Sequence, residues 1–218
     1  MKIIDLTHTI SSVMPVFPGT EPPVITNATT IEKEGFAEKL ISFFSHTGTH
    51  IDSPGHILQG ANTLDKFSTD KFIGKGFVID ATETGIIEKS NLVKYAAQIA
   101  DSEFVLFRTG WDQKWGNEDY FRDFPTLSMD SVKWLCSFKL KGIGFDCISA
   151  DPVESTVLPN HRMVLGKDLL IIENLCKLEQ LTDLQSIGRH FLFSCLPLKI
   201  AESDGSPVRA VAICADAS

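Results

Sequence analysis

Short apolar segments rich in β-branched and aromatic residues recur along the whole chain, and most of them are bounded by turn residues. Their lengths suit β-strands and are too short for most helices. This pattern restricts the chain to a fold built around a sheet. Strands are predicted over residues 2–6, 24–31, 37–45, 76–81, 103–109, 142–146, 169–173, 191–200 and 208–214.

Two segments have the helical period instead. Ser90 is a suitable N-cap for a helix over residues 91–100, and Ser128 is a suitable N-cap for a helix over residues 129–139. Strands outnumber helices and the two are partly mixed, so we predict an α/β fold with a mixed sheet. The length of 218 residues predicts a single domain spanning residues 1–218.

The charge and cysteine content exclude several classes of protein. The formal net charge of −8 at pH 7 argues against nucleic acid and anionic membranes as partners. No apolar run reaches the length of a membrane-spanning helix, and the N-terminus lacks the pattern of a signal peptide, which predicts a cytoplasmic protein. The five cysteines contain no Cys-x-x-Cys pair, which favours buried thiols in a reducing compartment, with a catalytic thiol as the alternative.

Three of the six histidines, His46, His50 and His56, fall within eleven residues. The spacing of His46 and His50 is that of helical metal ligands, but the intervening Thr47-Gly48-Thr49 disfavours a helix. We therefore predict that the cluster lies on a loop after the third predicted strand. A tight turn at Gly48 would bring His46 and His50 together.

A carboxylate accompanies these histidines. Asp52 lies two residues after His50, so an extended backbone would direct both side chains to the same side. Two imidazoles and one carboxylate suit zinc, manganese or iron(II). The alternative is a chance cluster of surface or core histidines.

A second polar region lies downstream and begins at Asp151-Pro152. Glu173 ends a predicted buried strand, where an unpaired carboxylate would be unfavourable, and His161 precedes it by twelve residues. One interpretation is that Glu173 is exposed and His161 is an ordinary loop residue. The other is that both are metal ligands, and two carboxylates among five ligands could then bridge two ions about 3.5–4 Å apart. The ligand set would be His46, His50, Asp52, His161 and Glu173.

The segment from His46 to His56 matches the motif His-x-Gly-Thr-His-x-Asp-x-Pro-x-His at every fixed position. Through this motif the chain resembles the cyclase-like family of metal-dependent hydrolases, which includes bacterial kynurenine formamidases and isatin hydrolases. The similarity covers nearly the whole chain. It includes Pro15-Val16-Phe17-Pro18-Gly19, Phe107-Arg108-Thr109-Gly110-Trp111, Asp151-Pro152, His161-Arg162 and Glu173-Asn174-Leu175.

The resemblance implies the family's swivelling β/β/α fold, which usually forms a homodimer. It also implies one metal ion held by His46, His50 and Asp52. A second ion would be held by Asp52, His161 and Glu173, with both carboxylates shared. The expected cofactor is one or two Zn²⁺ ions, with Mn²⁺ as a possible replacement.

The resemblance further implies that His56 is the proton donor and acceptor and that Phe17 lines the substrate pocket. Phe17 stands where the formamidases typically have tryptophan, and Thr20 where they usually have aspartate. The resemblance therefore supports the metal centre more strongly than it supports the substrate. The roles of His8, Arg108, Trp111 and Trp115 stay open.

The implied function is that of a metal-dependent amidohydrolase using metal-bound hydroxide, most closely an arylformamidase of tryptophan catabolism. Such an enzyme cleaves the amide C–N bond of N-formylkynurenine and gives kynurenine and formate. The first alternative is a cyclic amide or lactone hydrolase of the isatin hydrolase type with a single manganese ion. The second is a non-catalytic metal-binding protein of the same fold, although such a protein would not need a proton donor such as His56 beside the ligands.

Overall fold

The computed structural model describes residues 1–82, 84–188 and 190–214. Six α-helices and thirteen strands lie within these ranges. The helices are α1 Ile31–Glu34, α2 Lys89–Leu92, α3 Ala96–Ala100, α4 Met129–Leu135, α5 Pro159–Leu165 and α6 Glu179–Ser186. The strands are β1 Lys2–Asp5, β2 Val24–Thr29, β3 Glu38–Ser42, β4 His50–Asp52, β5 Ile73–Asp80, β6 Ile86–Ile87, β7 Phe104–Arg108, β8 Thr126–Leu127, β9 Gly142–Phe145, β10 Leu170–Glu173, β11 Phe191–Ser194, β12 Gly205–Pro207 and β13 Val211–Cys214.

Nine of these strands form one mixed sheet in the order β1-β13-β11-β5-β7-β9-β10-β4-β12. The four central strands β5, β7, β9 and β10 are parallel, and the strands on either side pair antiparallel. Two smaller two-stranded sheets are formed by β2 with β3 and by β6 with β8. The predicted α/β fold with a mixed sheet is therefore confirmed.

Apolar layers cover both faces of the main sheet. Along β7, Val105 and Phe107 point into one buried layer, and Phe104 and Leu106 point into the other. A strand that is buried on both faces has a continuous apolar sequence, which explains why β7 was recognisable from its residues. No helix among the described residues is long and apolar enough to cross a membrane.

The boundaries of the predicted helices need correction. The expected helix over residues 91–100 consists of α2, a 3-10 turn and α3, and it begins at Lys89. The predicted Ser90 cap is wrong, because Glu88 is the N-cap and its backbone N–H donates to Asn91 Oδ1 at 2.9 Å. The Ser128 cap is confirmed, since its hydroxyl accepts the Ser131 N–H, but α4 ends at Leu135 rather than at residue 139.

The bounds of several predicted strands also changed, two of them through a change of structure. The strand predicted over residues 191–200 ends at Ser194, and the following chain includes Pro197, which has no N–H for a sheet ladder. The segment predicted over 24–31 splits into β2 and the short helix α1. The prediction of buried thiols is confirmed for four cysteines, whereas Cys136 is partly buried.

Candidate metal centre

Strand pairing brings the two distant polar segments together. Strand β4 pairs antiparallel with β10, so that His50 lies opposite Glu173 and Asp52 lies opposite Ile171. The predicted loop is wrong for His50–Asp52, which form β4, although the predicted common orientation of an extended backbone holds. His46 precedes the strand, and the turn between them contains Gly48 at φ +62°.

His161 reaches the same place from α5. No helix was predicted here, but Pro159 occupies the first helical turn, where a missing N–H is harmless. The Asp151 carboxylate accepts the backbone N–H groups of Asn160 and His161, each at 3.0 Å. This carboxylate therefore anchors the start of the helix and fixes His161 over the sheet.

The five predicted ligands form two groups that meet at their carboxylates. Nδ1 of His46 and Nε2 of His50 lie 2.7 and 3.4 Å from Asp52 Oδ1. Nε2 of His161 lies 3.6 Å from Asp52 Oδ2 and 3.2 Å from Glu173 Oε1. Glu173 Oε2 lies 3.4 Å from His50 Nε2. One group is His46, His50 and Asp52, the other is Asp52, His161 and Glu173, and within each group the donor atoms lie within 4.8 Å of one another.

The remote nitrogen of each imidazole faces an oxygen acceptor. These acceptors are Asp204 Oδ2 for His46 at 2.9 Å, the Gly48 carbonyl for His50 at 2.8 Å, and Asp151 Oδ2 for His161 at 2.7 Å. A hydrogen bond of this kind keeps the proton on the remote nitrogen and leaves the lone pair of the other nitrogen directed inward. Imidazoles that ligate metals in proteins are held in the same manner.

One carboxylate oxygen of the cluster is buried without a hydrogen-bond partner. This oxygen indicates whether a cation would fit the site. Asp52 is buried and its Oδ2 has no hydrogen-bond partner among the described residues. A buried carboxylate oxygen without a partner is strongly unfavourable in a protein interior. A divalent cation would satisfy it, and the mixed nitrogen and oxygen donors suit zinc or manganese. The residues present therefore fit a divalent metal ion.

The neighbouring carboxylates keep two imidazoles of the metal-free site protonated. Burial disfavours the charged form of His46, but Asp52 and Asp204 outweigh burial and raise the pKa of this imidazole to about 10. Burial likewise opposes the charge on His161, but its hydrogen bond with Asp151 and the nearby carboxylates of Asp52 and Glu173 outweigh burial and raise the pKa of this imidazole to about 12. These imidazoles therefore carry protons near neutral pH that a metal ion must displace.

A cavity of about 630 Å³ opens over the cluster. His56, in a 3-10 turn over Pro54–His56, lies at its edge, and its ring centroid is 4.0 Å from that of His46. Burial lowers the pKa of His56, and the nearby carboxylates only partly offset this effect. Phe17 lines the cavity and is 39% exposed, and the other apolar wall residues include Phe44, Ile148 and Leu158.

The sequence did not point to several residues of this site. Asp204 contacts His46 and His56, but Asp204-Gly205 has the composition of an ordinary turn, which carries no sign of its role. Asn174 donates from Nδ2 to the Gly48 carbonyl at 2.9 Å and thereby supports the acceptor for His50. The position of Asn174 directly after Glu173 was the available clue.

The residues with open roles pack or pair outside the cavity. His8 stacks on Trp115 with a centroid distance of 3.9 Å and an interplanar angle of 6°. Trp111 donates its indole N–H to the Tyr120 carbonyl at 3.0 Å. Arg108 forms an ion pair with Asp80 at 2.6 Å. None of the four residues lines the cavity over the cluster.

Comparisons with known proteins agree with this architecture. A family described as "Putative cyclase" matches residues 4–152. A kynurenine formamidase of Bordetella avium is 32% identical over 215 residues, which cover 96% of this chain and 97% of the relative.

Solved structures of similar shape include an isatin hydrolase bound to the product analogue thioisatinate, with a TM-score of 0.85 and 22% identity over 97% of this chain and 91% of the other. Isatin hydrolase A from Ralstonia solanacearum has a TM-score of 0.82 and 25% identity, with the same coverage of both chains. The sequence match and the common architecture together show that the chain belongs to the cyclase family of metal-dependent hydrolases.

Proposed function

We propose that this protein is a metal-dependent amidohydrolase that cleaves the C–N bond of an N-formyl aromatic amine, with N-formylkynurenine as the first candidate substrate. The observation that carries the proposal is the convergence of two donor groups on Asp52 and Glu173, with one Asp52 oxygen left without a hydrogen-bond partner. We propose that His46, His50 and Asp52 hold one ion and that Asp52, His161 and Glu173 hold the other.

The cavity supports an aromatic substrate. Phe17 and Phe44 provide aromatic faces in its wall, and Ile148 and Leu158 add apolar surface above the donor groups. A relative of similar length is named kynurenine formamidase, which agrees with a formylated aromatic amine. The ring of Phe17 is smaller than that of the tryptophan that the formamidases typically have at this position, and it therefore leaves space for other aromatic amides.

The mechanism assigns a task to each group of side chains. When bound, the metal ions lower the pKa of water to near 7 and polarise the amide carbonyl. The apolar wall orients the aromatic ring of the substrate and excludes bulk water from the amide. His56 delivers a proton to the departing amine nitrogen, which is otherwise a poor leaving group.

The second candidate function is hydrolysis of a cyclic amide or lactone, favoured by the isatin hydrolase structures of similar shape.

We propose zinc as the resident metal and manganese as a functional replacement. Zinc binds more tightly than manganese to mixed nitrogen and oxygen sites, although metal supply can reverse this order. The shared carboxylates support two ions per chain. The cytoplasmic location stays a prediction from the sequence.

Metal binding should strengthen as the pH rises. The imidazoles of His46 and His161 have pKa values of about 10 and about 12 in the metal-free protein, so each must lose a proton when it becomes a ligand. Between about pH 6.5 and about pH 8.5, we expect the apparent zinc affinity to rise about tenfold per pH unit for each proton that is released on binding. Calorimetry in two buffers with different ionisation enthalpies measures the released protons, and a pH-independent affinity without proton release would contradict the assignment.

The proposed function is tested with purified protein loaded with zinc or manganese. We expect turnover of N-formylkynurenine and formanilide, followed by formate release, and loss of turnover after chelation that zinc restores. His50→Ala is the matched inactive control. Turnover of isatin or a lactone but not of formyl amines would favour the second candidate. Metal binding with no turnover of any amide, ester or lactone would favour a non-catalytic protein.

We also propose that the protein is a homodimer formed through the β2–β3 hairpin. Every residue of β3 is exposed, including Leu40 and Ile41, and Phe44 beyond its end is exposed too. A two-stranded hairpin with most of its side chains exposed is marginally stable, and exposed apolar clusters mark interaction surfaces. Light scattering should give twice the chain mass of 24.0 kDa, and Leu40→Asp should shift the protein to monomer. A monomeric wild-type protein would contradict this arrangement.

A further inference from the structure

Asp204 lies immediately before β12 and is tied to the turn that carries His56. Its backbone carbonyl accepts the Ser53 N–H at 2.9 Å and the Ser53 hydroxyl at 2.8 Å. The Ser53 carbonyl in turn accepts the His56 N–H at 3.0 Å. These bonds fix the main chain of Asp204 relative to that of His56.

The Asp204 side chain faces two imidazoles with a single oxygen. Oδ2 lies 2.9 Å from His46 Nε2 and 3.2 Å from His56 Nδ1. The other oxygen, Oδ1, accepts the Ser45 hydroxyl at 2.9 Å, which holds the carboxylate in this orientation.

The neighbouring glycine is required for this arrangement. A Cβ on Gly205 would lie 2.6 Å from His46 Cε1 and 2.7 Å from its Nε2, far inside normal contact distance. The His46 ring therefore packs directly on the backbone beside Asp204. This close approach places Asp204 where its carboxylate reaches both imidazoles.

A carboxylate oxygen facing Nδ1 of His56 selects one tautomer. Nδ1 must carry the proton to donate, so Nε2 presents its lone pair, whereas imidazole side chains in water favour the opposite tautomer. We propose that Asp204 is a positioning residue that fixes His56 in the Nδ1–H tautomer, so that Nε2 exchanges protons with the reactants. The inference rests on the proposed function, in which His56 transfers a proton.

The proton balance of this step is simple. His56 Nε2 accepts a proton from the attacking water and becomes an imidazolium, which the Asp204 carboxylate stabilises without taking the proton. The same Nε2–H is then given to the departing amine nitrogen as the C–N bond breaks. The imidazole returns to its neutral Nδ1–H form.

Kinetics of a graded series test the role. We expect Asp204→Ala to lower kcat on formanilide about 100-fold with KM changed less than about threefold, and Asp204→Asn, which keeps an acceptor oxygen, to lose less. Ser45→Ala should lose about three- to tenfold. The exposed carboxylate Asp101 gives a matched control, Asp101→Asn, with wild-type kinetics.

A change of leaving group distinguishes a loss of proton transfer from a general disturbance of the active site. A phenol with a pKa of about 10 departs without a proton far more readily than an amine does. We therefore expect Asp204→Ala to lower kcat on phenyl formate less than about threefold. In the double variant with His56→Ala, the loss should be no larger than that of His56→Ala alone, because both residues act through one group.

A spectroscopic measurement is independent of turnover. Nitrogen-15 spectra of labelled histidine, recorded at a pH where His56 is neutral, should show the Nδ1–H tautomer in the wild-type protein and the Nε2–H tautomer in Asp204→Ala and, in part, in Asp204→Asn. If the wild-type protein hydrolyses neither substrate, the proposed function fails, and the tautomer still decides the role of Asp204. An unchanged tautomer, equal losses on both substrates, or loss of a bound metal ion in Asp204→Asn would overturn the proposal.

Discussion

Asp52→Asn is expected to abolish binding of both metal ions and to lower kcat/KM on formanilide by about 10⁴-fold or more. Asp52 provides Oδ1 to the group with His46 and His50 and Oδ2 to the group with His161 and Glu173, so its replacement damages both sites together. Asparagine has a similar shape, but it lacks the negative charge and exposes an N–H₂ group where one carboxylate oxygen stood. Metal content per chain and steady-state kinetics measure the two losses.

The stability of the metal-free variant provides the control. Because Asp52→Asn removes a carboxylate that pairs with the protonated imidazoles of His46 and His161, we expect the unfolding free energy of the metal-free protein to fall by about 3–5 kcal/mol. The wild-type protein should gain about 2.7 kcal/mol when free zinc is 100 times its Kd, and the variant should gain nothing. A variant that keeps two ions, or that retains turnover, would refute the shared role of Asp52.

His56→Ala is expected to keep both ions and to lower kcat on formanilide about 10³-fold. His56 contributes no atom to either of the two three-residue donor groups that share Asp52, and its Nδ1 faces Asp204 instead. Loss of the imidazole therefore removes a proton carrier and leaves the ligands in place. Metal analysis of the dialysed protein and kinetics on formanilide and phenyl formate distinguish these effects.

The result on the ester makes this prediction specific. We expect the loss on phenyl formate to be smaller, because phenolate leaves more readily without a proton. Parallel loss of metal and activity in His56→Ala would instead make His56 a ligand. A residual rate close to that of the wild-type protein would remove His56 from the mechanism.

The local pattern of the sequence was enough to predict half of the candidate site. His46, His50 and Asp52 are close in sequence, and Gly48 predicts the turn that follows His46. An extended backbone sets the common direction of His50 and Asp52. The buried central strands were also predictable, because a strand covered on both faces is a continuous apolar run.

The other half depends on pairing between distant segments. Glu173 meets His50 only because β10 pairs with β4, and no periodicity within either strand specifies that partner. Asp204 reaches the site only because β12 pairs with the other edge of β4. The resemblance to a known family, rather than the residues alone, supplied the link between His161 and the histidine motif.

Local rules failed where two neighbouring signals competed. Ser90 is a good cap in isolation, but Glu88 and Asn91 form reciprocal hydrogen bonds that start the helix earlier. His161 was interpreted as a possible loop residue and no helix was predicted around it, yet Pro159 is well suited to the first turn of α5. In both cases the side-chain hydrogen bonds of the folded chain decided the boundary.

Anomalous diffraction at the zinc absorption edge, from crystals of the zinc-loaded protein, tests the central claim most directly. The account predicts two zinc peaks, one on each side of the Asp52 carboxylate, with Glu173 in contact with both. A cavity without zinc, or zinc bound only at sites that exclude Asp52, His161 and Glu173, would contradict it.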